Sequence, residues 1–126
     1  MKSGNREIVE KYLRCYNEKN TNAMLELFSD DVRFESVSNT GGVVRTENKQ
    51  QLRELASQTV EWFEERRQTA SGWVESGDDV AVEIDFRCRL AMDFPDGKKA
   101  GQEMSLRGAS FFTIRDGLIR RLTDYM

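Results

Sequence analysis

From Gln68 to its end the chain repeats one device: a run of alternating residues, then a pair that forces a turn. The clearest run is Val80–Met92. Val82, Ile84, Phe86, Cys88 and Leu90 fall on one side, and Glu83, Asp85, Arg87 and Arg89 on the other. A period of two is the signature of a strand with one buried and one wet face. The runs Gln68–Glu75, Gln102–Ile114 and Leu118–Tyr125 flank it, separated by Gly77-Asp78-Asp79, Pro95-Asp96-Gly97 and Arg115-Asp116-Gly117. Asp-Gly between alternating segments is a strong hairpin signal. Four long strands joined by short turns predict an antiparallel sheet, and its apolar face must be covered by something.

The cover comes from the first half. Ile8, Val9, Tyr12, Leu13, Cys15 and Tyr16 recur at helical spacing and predict a helix over about 5–18. Thr21 or Asn22 can cap a short second helix that runs to Phe28 and is ended by Asp30-Asp31. Val32, Phe34 and Ser36 then read as one face of a strand, Gly41-Gly42 as a turn, and Val43-Val44 as a short further strand. Thr46 can cap a third helix, placed at about 47–65 from the stripe Leu52, Leu55, Thr59, Trp62 and Phe63. The expected class is α+β, with three N-terminal helices packed on an antiparallel sheet. A length of 126 residues predicts a single domain, 1–126, large enough to bury a core without staples.

Composition narrows the chemistry. The chain has no His and two Cys. Ser-His and Cys-His nucleophilic pairs are therefore excluded, and so are a His-ligated metal and a thiolate-only structural zinc. Acid–base work near neutral pH is left to a carboxylate, Tyr, Lys or thiol, and a carboxylate needs an apolar pocket to raise its pKa. Cys15 and Cys88 sit in apolar periodic segments and read as buried free thiols. The net charge is −3, with Lys and Arg dispersed, which argues against nucleic acid. Arg66-Arg67 and Arg120-Arg121 read as isolated solvated pairs. No apolar run reaches membrane-spanning length and the start lacks a signal-peptide core, so a cytoplasmic protein without membrane contact is expected.

Two local patterns point to relatives. Leu27-Phe28-Ser29-Asp30-Asp31-Val32 resembles the "LFADDV" junction of the nuclear-transport-factor-2-like superfamily. Phe112-Thr113-Ile114-Arg115-Asp116-Gly117-Leu118-Ile119 with Thr123-Asp124-Tyr125 resembles its "F-x-x-x-D-G-x-I…D-Y" ending. The order of elements is similar too, and the likeness spans the chain. The branches it suggests are the SnoaL-like cyclases, the ketosteroid isomerases and the limonene-epoxide hydrolases. The resemblance implies a strongly curved, cone-shaped, cystatin-like roll with a central pocket, and homodimers through the outer sheet face. It does not imply one activity, because this fold hosts enzymes, binding domains and adaptors.

Carried over residue by residue, the isomerase pattern is incomplete. That branch uses a pocket Asp as base and an oxyanion hole of a Tyr with a protonated Asp. The Tyr falls on Tyr12, but the base falls on Ser36 and the protonated acid near Ser110. The cyclase and hydrolase branches place a pocket carboxylate at the C-terminal "D-Y", which here is Asp124. Alternation puts Asp124 beside Leu122, so an apolar wall would raise its pKa. The hydrolase branch also needs an Arg and an Asp two apart; Asp85-Phe86-Arg87 offers them in reversed order on the charged face, where a surface ladder is the simpler reading. Glu35 and Arg107 are expected to point outward. Tyr12 reads either as a hydrogen-bond donor to a ligand oxygen or as a core aromatic. Asp124 reads either as the acid–base group or as a wet terminal carboxylate. Ser36, Ser110, Phe34, Trp62, Phe112 and Leu122 are the expected substrate-binding set. The resulting expectation is a pocket for a hydrophobic carbonyl or polyketide-like molecule, using no metal and no cofactor. The chain then serves as a proton-transfer enzyme of isomerase, cyclase or lyase type, or as a non-catalytic binding or adaptor domain. Epoxide-hydrolase-like water activation stands behind both.

Overall fold

The computed structural model describes residues 4–38 and 41–126. The order is α1 (Gly4–Asn17), α2 (Thr21–Leu25), β1 (Phe28–Val37), β2 (Val43–Thr46), α3 (Lys49–Thr59), a 3-10 turn (Val60–Trp62), β3 (Phe63–Ser76), β4 (Asp79–Leu90), β5 (Glu103–Arg115) and β6 (Leu118–Tyr125). All six strands join one sheet in the order β2-β1-β6-β5-β4-β3. The C-terminal meander forms as expected. The sheet is nevertheless mixed and not purely antiparallel, because β1 lies parallel to β6. The reason is topological: after the β1–β2 hairpin, α3 carries the chain to the far edge. The meander then brings it back one strand at a time until β6 meets β1.

Three boundaries differ from the sequence expectation. The short helix stops at Leu25, with Asn20 as its cap (Asn20 Oδ1 accepts from Ala23 N at 3.2 Å), so Phe28 opens β1 and does not end α2. Asp30 and Asp31 lie inside β1, where its pairing with β6 breaks register. The third helix is capped by Asn48, which accepts from Gln51 N at 2.9 Å, and ends at Thr59. Trp62 and Phe63 keep helical spacing from Thr59, but the chain tightens into a 3-10 turn and Phe63 begins β3.

The core lies between the helices and the apolar face of the sheet. Val9, Tyr12 and Leu13 of α1 join a buried cluster with Val80, Val82 and Ile84 of β4, Phe112 and Ile114 of β5, and Ile119 and Leu122 of β6. Fully burying one such aliphatic or aromatic side chain stabilises by roughly 1.5–3 kcal/mol. Tyr12 is held edge-on between Phe28 (5.7 Å) and Phe112 (5.5 Å). Cys15 and Cys88 are buried free thiols. No described helix is long and apolar enough to cross a membrane.

The outer face carries the charge ladder expected for β4. Arg107 meets Asp85 at 3.4 Å, and Arg89 lies within 3.8 Å of Glu64, 3.6 Å of Glu65 and 3.4 Å of Glu103. These exposed pairs are worth about 0–1 kcal/mol each. Glu35 also points outward and pairs with Arg45 at 2.5 Å.

Gly108 joins the sheet to the chain end. A Cβ there would sit 2.1 Å from the Tyr125 carbonyl oxygen and 2.6 Å from Met126 Cγ. A backbone oxygen cannot swing aside as a side chain can. Gly108→Ala is therefore expected to lower stability by about 1–3 kcal/mol, the usual cost of overpacking. Denaturant unfolding measures it; an unchanged midpoint would contradict the close approach.

Candidate functional site

A cavity of about 280 Å³ opens between α1, α3 and the inner sheet face. Its walls are mostly apolar: Met24, Phe34, Leu52, Leu55, Trp62, Phe63 and Phe86. Tyr12, Tyr16, Ser36, Arg66, Gln68 and Asp124 supply its polar atoms. Asp124 is the one acid among the described lining residues.

Register explains how Asp124 comes to be there. On β6 it pairs with Ser36 of β1 on one side and Ser110 of β5 on the other. Residues paired across neighbouring strands point to the same face, so the three form a row Ser36–Asp124–Ser110. Ser110 Oγ donates to Asp124 Oδ1 at 2.6 Å. By surface area Asp124 is half-buried, and it lines the cavity. Burial pushes its pKa from 3.8 up to about 6, against the lowering effect of the Ser110 hydroxyl.

Tyr12 and Tyr16 face the same space from α1. Burial, with the Asp124 charge adding to it, holds the Tyr12 phenol well above its usual pKa. Burial likewise pushes Tyr16 up to about 12, opposed by the Arg66 charge. Both phenols are therefore neutral O–H groups, able to donate, across the physiological range.

β3 supplies a polar pair that the sequence reading missed. Arg66 is not a solvated surface residue: it is 7% exposed, and Gln68 is 5% exposed. The Arg66 guanidinium stacks over the Tyr16 ring at 3.7 Å, and its Nε donates to the Tyr16 carbonyl at 3.1 Å. The α1–α2 junction holds this edge strand in place. Asn17 Nδ2 donates to the Gln68 carbonyl at 3.0 Å, and Asn17 Oδ1 accepts from Gln68 N at 2.7 Å, which completes a hydrogen-bond pair that a neighbouring strand would otherwise make. Lys19 Nζ donates to the carbonyls of Phe63 (2.7 Å) and Glu64 (2.8 Å). A usable signal was present: the alternation of β3, extended back from Gln68, puts Arg66 on the inward face.

The expected substrate-binding residues divide. Ser36, Phe34 and Trp62 line the cavity with Tyr12 and Asp124. Ser110 sits beneath Asp124 as its donor. Phe112 and Leu122 do not line the cavity: both are fully buried in the layer behind it, where Phe112 packs on Tyr12. Asp85 and Arg87 lie on the opposite, outer face and reach no part of the cavity. Among the described residues no three His, Cys, Asp or Glu side chains gather as a metal site.

Comparison with known proteins agrees with this fold. A family model described as a SnoaL-like domain matches residues 9–122. A solved Xanthomonas campestris pv. campestris protein, whose name proposes a polyketide cyclase, superposes with a TM-score of 0.84 at 22% identity, over 98% of this chain and 90% of that one. A Catenulispora acidiphila protein of ketosteroid-isomerase-like fold, crystallised with trimethylamine, gives 0.78 at 22%, over 95% and 85%. An LEH-like epoxide hydrolase of M. tuberculosis gives 0.78 at 16%, over 97% and 81%. At these identities the likeness is one of fold. No curated protein matches the chain.

Asp124 makes stability depend on pH with a definite sign. Its folded pKa of about 6 lies above the ordinary 3.8, so the folded state holds this proton more tightly than the unfolded one. Its contribution to folding is fully present below about pH 4 and is lost as pH rises through about 6. Asp124→Asn removes that loss. The variant's stability relative to the parent is expected to rise between about pH 4 and pH 6 and then level off, by up to about 3 kcal/mol at 1.36 kcal/mol per pKa unit. Denaturant melts across that range check it; a difference independent of pH would show that Asp124 is not desolvated.

Proposed function

The chain belongs to the SnoaL-like domain family, and from that premise we propose that it is a proton-transfer enzyme of isomerase or cyclase type acting on a compact hydrophobic carbonyl compound. The observation that carries the reading is Asp124: a single carboxylate in an apolar cavity, with its pKa raised to about 6. A base works best when its pKa lies near the working pH, because it is then both ionised and willing to take a proton. In this reading the sheet wraps the cavity as a cone-shaped roll. The chemistry needs no metal and no cofactor.

The step runs as follows. Asp124 removes a proton from the carbon next to the substrate carbonyl. The C–H electron pair moves into the carbon skeleton and charge collects on the carbonyl oxygen. The neutral Tyr12 hydroxyl donates to that oxygen, and a donor placed in a dry site is worth far more there than in water. Ser110 keeps Asp124 oriented through its 2.6 Å hydrogen bond, and Ser36 offers a second hydroxyl beside it. Where a C=C is conjugated with it, the enolate takes the proton back from Asp124 at the far carbon; otherwise it attacks a second carbonyl within the same molecule, and the alkoxide so formed takes the Asp124 proton. Size limits the substrate. An engineered cavity of about 150 Å³ takes one benzene. A cavity of about 280 Å³ therefore suits one or two rings.

A second reading, binding without turnover, is favoured by Ser36 and Ser110 standing where the isomerase branch has acids. Exchange of the α-protons of 2-tetralone for deuterium, followed by NMR, separates the two. The enzyme reading expects catalysed exchange that rises with pH through about 6 as Asp124 ionises, and then levels. Asp124→Asn should slow it by about 10²–10⁴ and Tyr12→Phe by about 10². Saturable binding with no catalysed exchange across a set of compact ketones would leave the binding reading.

The outer sheet face fits a homodimer in this family. Val74 (69% exposed), the half-buried Ala81 and Phe111 (36% exposed) stand in one register row on it, with Tyr125 (45% exposed) in the next. Exposed apolar surface laid out this way marks an interaction site. Sedimentation at micromolar concentration is expected to give a dimer, and Phe111→Glu a monomer; a monomeric parent protein would overturn the assignment.

A further inference from the structure

At the β3 end of the cavity the charges do not balance. Arg66 is 93% buried by the complement of its 7% exposure, yet no carboxylate among the described residues pairs with it. One face of its guanidinium is covered by the Tyr16 ring, and its Nε donates to the Tyr16 carbonyl. The donors on Nη1 and Nη2 meet no protein acceptor among the described residues. Beside it, Gln68 Oε1 is buried without a hydrogen-bond partner, and both side chains line the cavity. Asp124, the acid at the other end, accepts from Ser110 Oγ and forms no ion pair with Arg66. A guanidinium that keeps so little contact with water is stabilised by an anion, and its paired N–H groups match a carboxylate or an enolate in shape.

We infer that the cavity binds an organic anion, with the negative oxygens on Arg66 and the apolar body against Phe34, Leu52 and Phe86. Gln68 Oε1 is open to an O–H or N–H on the same ligand. The anionic end lies at β3, so the far end of the molecule reaches the Ser36–Asp124–Ser110 row. This narrows the carbonyl substrate of the proposed function to one that carries a carboxylate or an acidic enol, and it rests on that reading only in taking the cavity as the substrate site.

Arg66 also borders a second hollow outside the cavity, walled by Lys19, Glu64, Glu65, Arg67, Arg87, Arg89 and Glu103. That hollow already holds both signs, and Arg89 engages its Glu side chains. An anion there would compete with existing pairs in open, screened water. In the apolar cavity the same charge acts through a low dielectric and is stronger.

Calorimetric titration of the intact protein with two probes of nearly equal shape tests this. 2-Naphthoate is anionic at neutral pH, and 2-acetonaphthone is neutral. The naphthoate is expected to bind about tenfold tighter or more, and Arg66→Gln to abolish that preference while leaving ketone affinity within about threefold. Arg66→Lys, which keeps the charge, should retain part of the preference. Equal binding of the two probes by the parent protein, or binding of neither, overturns the inference without recourse to any variant. A preference that survives Arg66→Gln, or that is lost in Arg89→Gln instead, overturns it as well. Failure here is separable from failure of the proposed function, because anion preference is read by binding and proton exchange by NMR; Asp124→Asn, which removes a negative charge from the cavity, should slow exchange and strengthen the anion preference. A protein that prefers the anion but exchanges no protons refutes the enzyme reading alone; one that exchanges protons but ignores charge refutes the anion site alone.

Discussion

The parallel pairing of β1 with β6 is the contact on which the site depends. It joins a strand formed early in the chain to the last one, and a parallel neighbour requires a long crossover. Here the crossover is everything from β2 through β5. Its register sets Phe34 beside Leu122 and Ser36 beside Asp124. Strand side chains alternate, so a slip by one residue would turn Asp124 out of the cavity and Thr123 into it. The close approach of Gly108 to Tyr125 fixes the same strand end from the other side. Asp124 is two residues from the end of the sequence, yet a hairpin on one side and a parallel pairing on the other hold it.

A second constraint is electrostatic. Among the described residues the cavity has one acid at its β6 end and one cation at its β3 end, with two neutral phenols between them. Each charge is desolvated, but they do not neutralise each other. Such an arrangement costs stability, and it persists only because the surrounding structure holds it: Asn17 and Lys19 pin the backbone of β3, and the Tyr16 ring and carbonyl pin Arg66. This framework supports the reading in which the polar cavity lining is preorganised for a charge-bearing ligand.

The same tension explains what could be read from the sequence. β4, β5 and β6 were legible because their inward faces are apolar and Asp-Gly closes the last hairpin. α1 was legible from its apolar stripe. β3 was legible only from Gln68 on: its earlier inward position carries Arg66, so hydrophobic alternation fails where the cavity needs polar atoms. The helical spacing of Thr59, Trp62 and Phe63 then carried the expected helix on to residue 65. Asp124 and Tyr12 could be singled out through the family pattern, and their placement on one cavity follows from a parallel pairing that no local signal encodes. Phe112 and Leu122 share the correct face with Ser110 and Asp124, but facing inward is not the same as lining a cavity. The layer of α1 over them closes that part of the sheet.

The serines at positions 36 and 110 also bear on mechanism. Carboxylates in both places would put three acids in one row, and close acids titrate as a coupled set in which ionising one opposes ionising the next. Serine leaves Asp124 as the single titrating acid of that row. The Ser110 hydroxyl lowers its pKa and desolvation raises it more, and the balance falls at about 6. One acid can carry one proton at a time, out of the substrate and back. Any negative charge that builds on the ligand must therefore be met by groups that do not titrate in that range, and the cavity offers two of them: the Tyr12 hydroxyl and the Arg66 guanidinium. A ligand that already carries its charge at the Arg66 end would leave the Tyr12 hydroxyl free for the charge that forms next to Asp124.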